Sequence, residues 1–171
     1  MSFEVFLPCL DDDHSNGIPR DAVRTLFPVV EELSEPNRWS VQYDSKNACD
    51  IYATSYPADE NKLSFLSADR PCSDTRLWES LFAILKMGRV VLYFPGGPPL
   101  VADEAVGASL PSNELESMAP HRCVQSAQDC ADHSKFLSDL QARVSPSTNP
   151  HSNPFVHRLA ARCILCCRKI A

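Results

Sequence analysis

Apolar residues recur along this chain with two different periods, and the switches between them mark out its elements. From Ser73 to Phe94 the pattern is clearest. Leu77, Trp78, Leu81, Phe82, Ile84 and Leu85 fall on one helical face, with Arg76, Glu79, Ser80 and Lys86 on the other. Ser73 or Asp74 is placed to cap the first turn, where a negative charge also suits the helix dipole. Gly88 stands where a left-handed residue would end the helix. Val90, Val91, Leu92, Tyr93 and Phe94 then run without polar interruption, the pattern of a strand covered on both faces.

Upstream the period is mostly two. Phe3, Val5 and Leu7 alternate with Ser2, Glu4 and Phe6, predicting a first strand, and Pro19 is suited to open a helix running to about Phe27. Val29 to Glu35 shows neither period and reads as an irregular connection or a short helical turn. Arg38 to Tyr43 alternates with Trp39, Val41 and Tyr43 on one face, and Asp44-Ser45-Lys46-Asn47 is a turn. Cys49 to Tyr56 reads as the returning strand and Leu63 to Ala68 as a third. The strand, helix and strand from Leu63 to Phe94 should make a right-handed parallel crossover.

The predicted order is β-α-β-β-β-α-β: an α/β (α+β) fold with a mixed sheet and helices packed mainly on one face. A further strand and helix are expected between Leu100 and Leu110, a helical piece over Ser112 to Met118, and an edge strand near Cys123. A C-terminal helix from Ala127 to Arg143 follows, capped by Ser126, with Cys130, His133 or Ser134, Leu137 and Leu140 as its apolar stripe. Residues 1–144 therefore form one expected globular domain. Residues 145–171 open with S-P-S-T-N-P-H-S-N-P, a linker expected to be flexible, and end in a basic, cysteine-rich tail.

At 171 residues, 44% hydrophobic and 22% charged, the composition is that of a globular protein. No apolar run approaches the ~20 residues of a membrane helix, so no integral membrane segment is expected. The N-terminus lacks a basic region followed by a long apolar core, which points to a cytoplasmic protein with reduced thiols. Net charge is −6, unevenly placed: the four basic residues after Ser145 face no acid, and the body holds 12 basic against 22 acidic residues, a net of −10. Such a body disfavours nucleic acid and favours a basic protein partner.

Chemistry-bearing motifs are sparse. Cys72 precedes the central helix, where a thiol can be activated, but C-S-D-T-R lacks a base and the longer loop of thiol phosphatases. Asp11, Asp12, Asp13 and His14 offer hard-cation ligands without the spacing of a calcium loop. Gly96-Gly97 follows a buried strand, yet Pro98-Pro99 removes the donors a phosphate would need. The tail's Cys163, Cys166 and Cys167, with His157, could ligate zinc or accept palmitate, or form an extension with no function of its own. No catalytic residue, metal or cofactor is assigned from these motifs.

The segments G-I-P-R-D-A-V-R-T-L-F-P, C-D-I-Y and R-P-C-S-D-T-R-L-W-E-S-L-F-A-I-L-K-M-G-R-V-V-L-Y-F-P-G resemble a little-characterised family of small acidic bacterial α/β proteins. The resemblance covers about residues 1–132. In size, acidity and lack of catalytic motifs the chain is also similar to immunity proteins of bacterial toxin systems. That likeness implies a non-enzymatic module that occludes a cognate toxin. Its expected contacts are Asp11, Asp12, Asp13, Trp39, Asp44, Asp50, Tyr52 and Tyr56, the acids steering and the aromatics forming the contact core. The alternatives are a small thiol enzyme using Cys72, or a tail-mediated metal-binding or membrane-associated adaptor.

Overall fold

The computed structural model describes residues 4–10, 17–32, 37–110 and 120–144. Asp11, Asp12, Asp13, the piece over 112–118 and the tail lie outside them. Strands β1 (Glu4–Pro8), β2 (Ile18–Pro19), β3 (Val29–Glu32), β4 (Arg38–Gln42), β5 (Ala48–Tyr56) and β6 (Asp59–Asp69) form one antiparallel sheet. Its order is β1-β6-β5-β4-β3, with β2 also on β6. Helix α1 is Arg20–Leu26 and helix α2 is Thr75–Leu85. The remainder is β7 (Leu100–Val101), α3 (Glu104–Ala108), β8 (Arg122–Cys123) and α4 (Ala127–Val144). The fold is α/β, as the pattern predicts.

The 90–94 segment joins the sheet through isolated bridges, Phe6 to Tyr93 and Cys9 to Val90 on one side and Leu92 to Leu100 on the other. It runs antiparallel to β1, as β6 does, so it is parallel to β6. The expected parallel crossover through α2 is present, with β1 lying between its two strands. Beyond Leu92 the sheet continues into β7, which pairs in parallel with β8.

Alternation explains which side is buried. Val5, Leu7, Trp39, Val41, Ile51, Ala53, Leu66 and Ala68 point to one face, where they meet Leu77, Trp78, Leu81, Ile84 and Leu85 of α2 and Cys130 and Leu137 of α4. Val90, Leu92 and Phe94 join this core. Val91 and Tyr93 point the other way, into a smaller cluster with Val101, Val106 of α3 and Leu110. The uninterrupted apolar run therefore is covered on both faces, the second by α3.

Three local expectations change. Val29–Glu32 is an edge strand on β4, with a register shift between Val29 and Glu31. Pro19 is the N-cap of α1 and Arg20 its first helical residue. Helix α2 ends at Lys86 in right-handed geometry and passes into turns, and the glycine with positive φ is Gly96 (80°) instead of Gly88. There, Phe94-Pro95-Gly96-Gly97 closes a turn in which the Gly97 N–H donates to the Phe94 carbonyl (3.1 Å). Proline second and a positive-φ glycine third are what a type II turn requires. Gly96-Gly97 is thus a chain reversal.

Candidate functional site: the outer face of the sheet

The face of β1, β6, β5 and β4 turned away from α2 is built by the residues between the core positions. Its register gives three rows. Glu4, Asp69, Asp50 and Ser40 lie side by side across four strands, and Phe6, Ser67, Tyr52 and Arg38 form the next row. Pro8, Phe65 and Thr54 form the third. Apart from buried Pro8 and exposed Thr54, these side chains are half-buried, whereas their core-facing neighbours are closed to water.

Three carboxylates on adjacent strands are an unfavourable arrangement, since like charges directly opposite one another destabilise a sheet. Burial, and then the Asp69 charge, raise the Glu4 carboxyl above its ordinary value. At the other end of the row Asp50 accepts from the Arg38 guanidinium (2.9 Å). That guanidinium also lies over the Tyr52 ring at 4.9 Å. Asp69 pairs with Arg70 at 3.3 Å, a largely exposed contact. Phe6 and Phe65 meet diagonally with ring centroids 6.1 Å apart. The patch thus combines a row of acids with three partly buried aromatic rings, of which Phe6 also packs on the Val91 and Tyr93 cluster; aromatic rings are enriched at protein contacts.

Two of the residues expected to make contact, Asp50 and Tyr52, lie in this patch. Trp39 does not: it is fully buried beneath the helices, on the core side of β4. Tyr56 is also withdrawn, at 4% exposure. The β5–β6 ladder shifts register after Thr54 and again after Ser55. The Tyr56 ring then rests on Gly17, where a Cβ would lie 2.5 Å from Cε2. Asp44 is exposed, but its carboxylate is occupied by the turn, accepting from the N–H groups of Lys46 (2.7 Å) and Asn47 (2.9 Å) and from Asn47 Nδ2 (2.8 Å). The side-chain bond from Asn47 leads in holding the Asp44 carboxyl below the usual range. Glu4, Phe6, Phe65 and Asp69 belong to the patch and were not expected there. Phe6 and Phe65 sit at non-core positions of their strands, a signal already present in the alternation.

The thiol at Cys72 has a different setting. Burial pushes it up from its ordinary value, the Asp74 N–H pulls it back, and the Asp74 and Asp44 charges raise it again. Its electrostatic neighbours among the described residues include no histidine. His121 pairs with Glu104 (2.7 Å), and His133 is packed on Phe94. No group of three or more metal-ligating side chains occurs among the described residues, and no helix there is long and apolar enough to cross a membrane.

Comparison of the chain with protein-family models, with curated proteins and with solved structures gives no match.

Proposed function

We propose that this chain is a non-enzymatic protein-binding module that docks a basic partner on the face of its sheet turned away from α2. An immunity protein that occludes a bacterial toxin is the reading that fits it best. The observation that carries the proposal is the row Glu4, Asp69 and Asp50 beside Phe6, Tyr52 and Phe65. Asp50 and Asp69 already pair with Arg38 and Arg70, and Glu4, whose carboxyl is held above its ordinary value by burial and the Asp69 charge, is the member that a cationic surface would relieve. The body charge of −10 would steer such a partner toward the face, and the rings would supply the desolvated contact. Four strands by about five residues measure roughly 15 by 17 Å. A standard interface takes about 800 Å² per partner, so flanking loops must share it. The β4–β5 turn with Asp44 continues beyond Asp50 and Ser40, and Asp11–Asp13 follow β1 in the chain.

The test is binding to the product of the neighbouring reading frame, with Tyr52→Ala and Phe65→Ala on the sheet face and Glu79→Lys on the exposed side of α2 as the control. The sheet-face variants should weaken binding roughly 30-fold or more, about 2 kcal/mol, and the control should not. Tight binding retained by both sheet-face variants would overturn the assignment of this face.

A further inference from the structure

The β5–β6 ladder ends with Asp50 opposite Asp69. The chain then turns sharply at Arg70, whose φ is +50°, and passes through Pro71 and Cys72 to Asp74, which caps α2. This turn lifts Cys72 off the sheet onto the core side, where Cys49, next to Asp50 on β5, also points. The two cysteines are electrostatic neighbours, the backbone N–H and the thiol of Cys72 both acting on the Cys49 thiol. Cys49 is buried and Cys72 half-buried, so Cys72 is the more accessible of the two to a small reagent.

We propose that Cys49 and Cys72 are an oxidant-responsive dithiol that closes to a disulfide, tying β5 to the N-terminus of α2. The oxidant is a hydroperoxide. The Cys72 sulfur, as thiolate, attacks the peroxide's terminal oxygen. The O–O bond breaks, and the leaving oxygen departs as water or alcohol after taking a proton. Cys72 is then a sulfenic acid. The Cys49 sulfur attacks the Cys72 sulfur, the S–O bond breaks, and the hydroxide leaves as water with the proton from the Cys49 thiol. Two electrons pass from the thiols to the peroxide, and the protein loses two hydrogens. Burial holds the Cys49 thiol at about 12 and raises Cys72 as well. The pair therefore answers sustained oxidant, faster at alkaline pH, and ignores traces. This inference is independent of the partner proposed above.

Native full-length protein should be treated with hydrogen peroxide, its remaining thiols alkylated, and its peptides mapped by mass spectrometry without reduction. A cross-linked peptide joining Cys49 to Cys72 should dominate. The oxidised protein should melt at a higher temperature than the reduced one, because the bond closes a loop in the unfolded chain. Cys49→Ser and Cys72→Ser should each abolish the shift. Separate alkylation of both cysteines after oxidation, or a cross-link that forms only in denaturant, would overturn the proposal. So would dominant pairing of Cys72 with any other cysteine. The wild-type map decides the matter even where a serine variant fails to fold.

Discussion

Trp78 carries more of the fold than its single position suggests. It is 4% exposed and stacks on Phe94, with centroids 6.3 Å apart and planes 19° apart, while His133 meets the same phenyl ring edge-on at 5.4 Å. One column of rings thus ties α2, the 90–94 segment and α4 together. Trp78→Ala should lower stability by about 3–5 kcal/mol in urea unfolding, the cost of deleting a buried aromatic. A change within error would show that the column bears no load. His133 adds a pH dependence. Its Nε2 is buried without a hydrogen-bond partner, and burial, then the Arg122 charge, lower its pKa from 6.5. Below 6.5 the unfolded chain takes up this proton before the folded one does, so stability should fall as pH drops through that point and level off below the folded pKa. His133→Leu should flatten the part of the slope between pH 6.5 and the folded value in urea midpoints. An unchanged slope would mean that the imidazole is protonated in place. Such environments are only half legible in a sequence. The helical stripe names His133 as a buried position, but the loss of its partner depends on the turn at Gly97, whose Cβ would lie 3.2 Å from Nε2.

The elements divide by whether their cause is local. Helix α4 is local: Ser126 Oγ accepts from the Asp129 N–H (3.2 Å), and the Asp129 carboxylate accepts from the N–H groups of Gln125 and Ser126 (both 2.9 Å). This reciprocal cap was visible in the S-x-x-D spacing. The Gln125 N–H leads in holding the Asp129 carboxyl below its ordinary value of 3.8. Its contribution is present above that pH and lost as pH falls through the folded value. Asp129→Ala should therefore lower the thermal midpoint at neutral pH and have less effect in acid, as read by helical circular dichroism. An equal loss at both would assign the effect to something other than the charge. Strand β3 has no local cause. V-V-E-E-L-S-E alternates with nothing, and Val29–Glu32 is extended because β4 offers it an open edge. The acid row is hidden for a related reason. Glu4, Asp50 and Asp69 are far apart in the chain, and only strand register aligns them. Ser64 is passed over where Thr54 pairs Phe65 and Ser55 pairs Leu63. That bulge decides which β6 residues face outward, and a one-residue error would exchange the two faces.

At the scale of the whole molecule, α2 and α4 close the sheet on one side, and on the other the cluster under α3 takes in the 90–94 segment, β7 and Phe6 of β1. On the outer face of the sheet, stability and the proposed recognition would pull in opposite directions. Glu4 is held above its ordinary carboxyl value by burial and by Asp69. Through the window between the unfolded and folded pKa values the native state binds the extra proton, so stability falls as pH rises and stays reduced above it. Glu4→Gln should accordingly leave the fold as stable or more stable at neutral pH. If the row is the docking site of a cationic partner, the same change should weaken binding, because it removes a charge from the contact. Reversal of Asp11, Asp12 and Asp13 to lysine tests steering alone. It should slow association at low salt, have little effect at high salt and leave the dissociation rate nearly unchanged. If the chain acts by occlusion, Cys72→Ser should leave binding intact, since occlusion makes no use of a thiol. Stability and binding measured on one set of variants separate the possibilities. A Glu4→Gln protein that is destabilised would mean that the carboxylate is structural. One that is stabilised and binds like the wild type would place the contact elsewhere on the chain. Loss of activity in Cys72→Ser with binding untouched by every charge change would point to thiol chemistry instead.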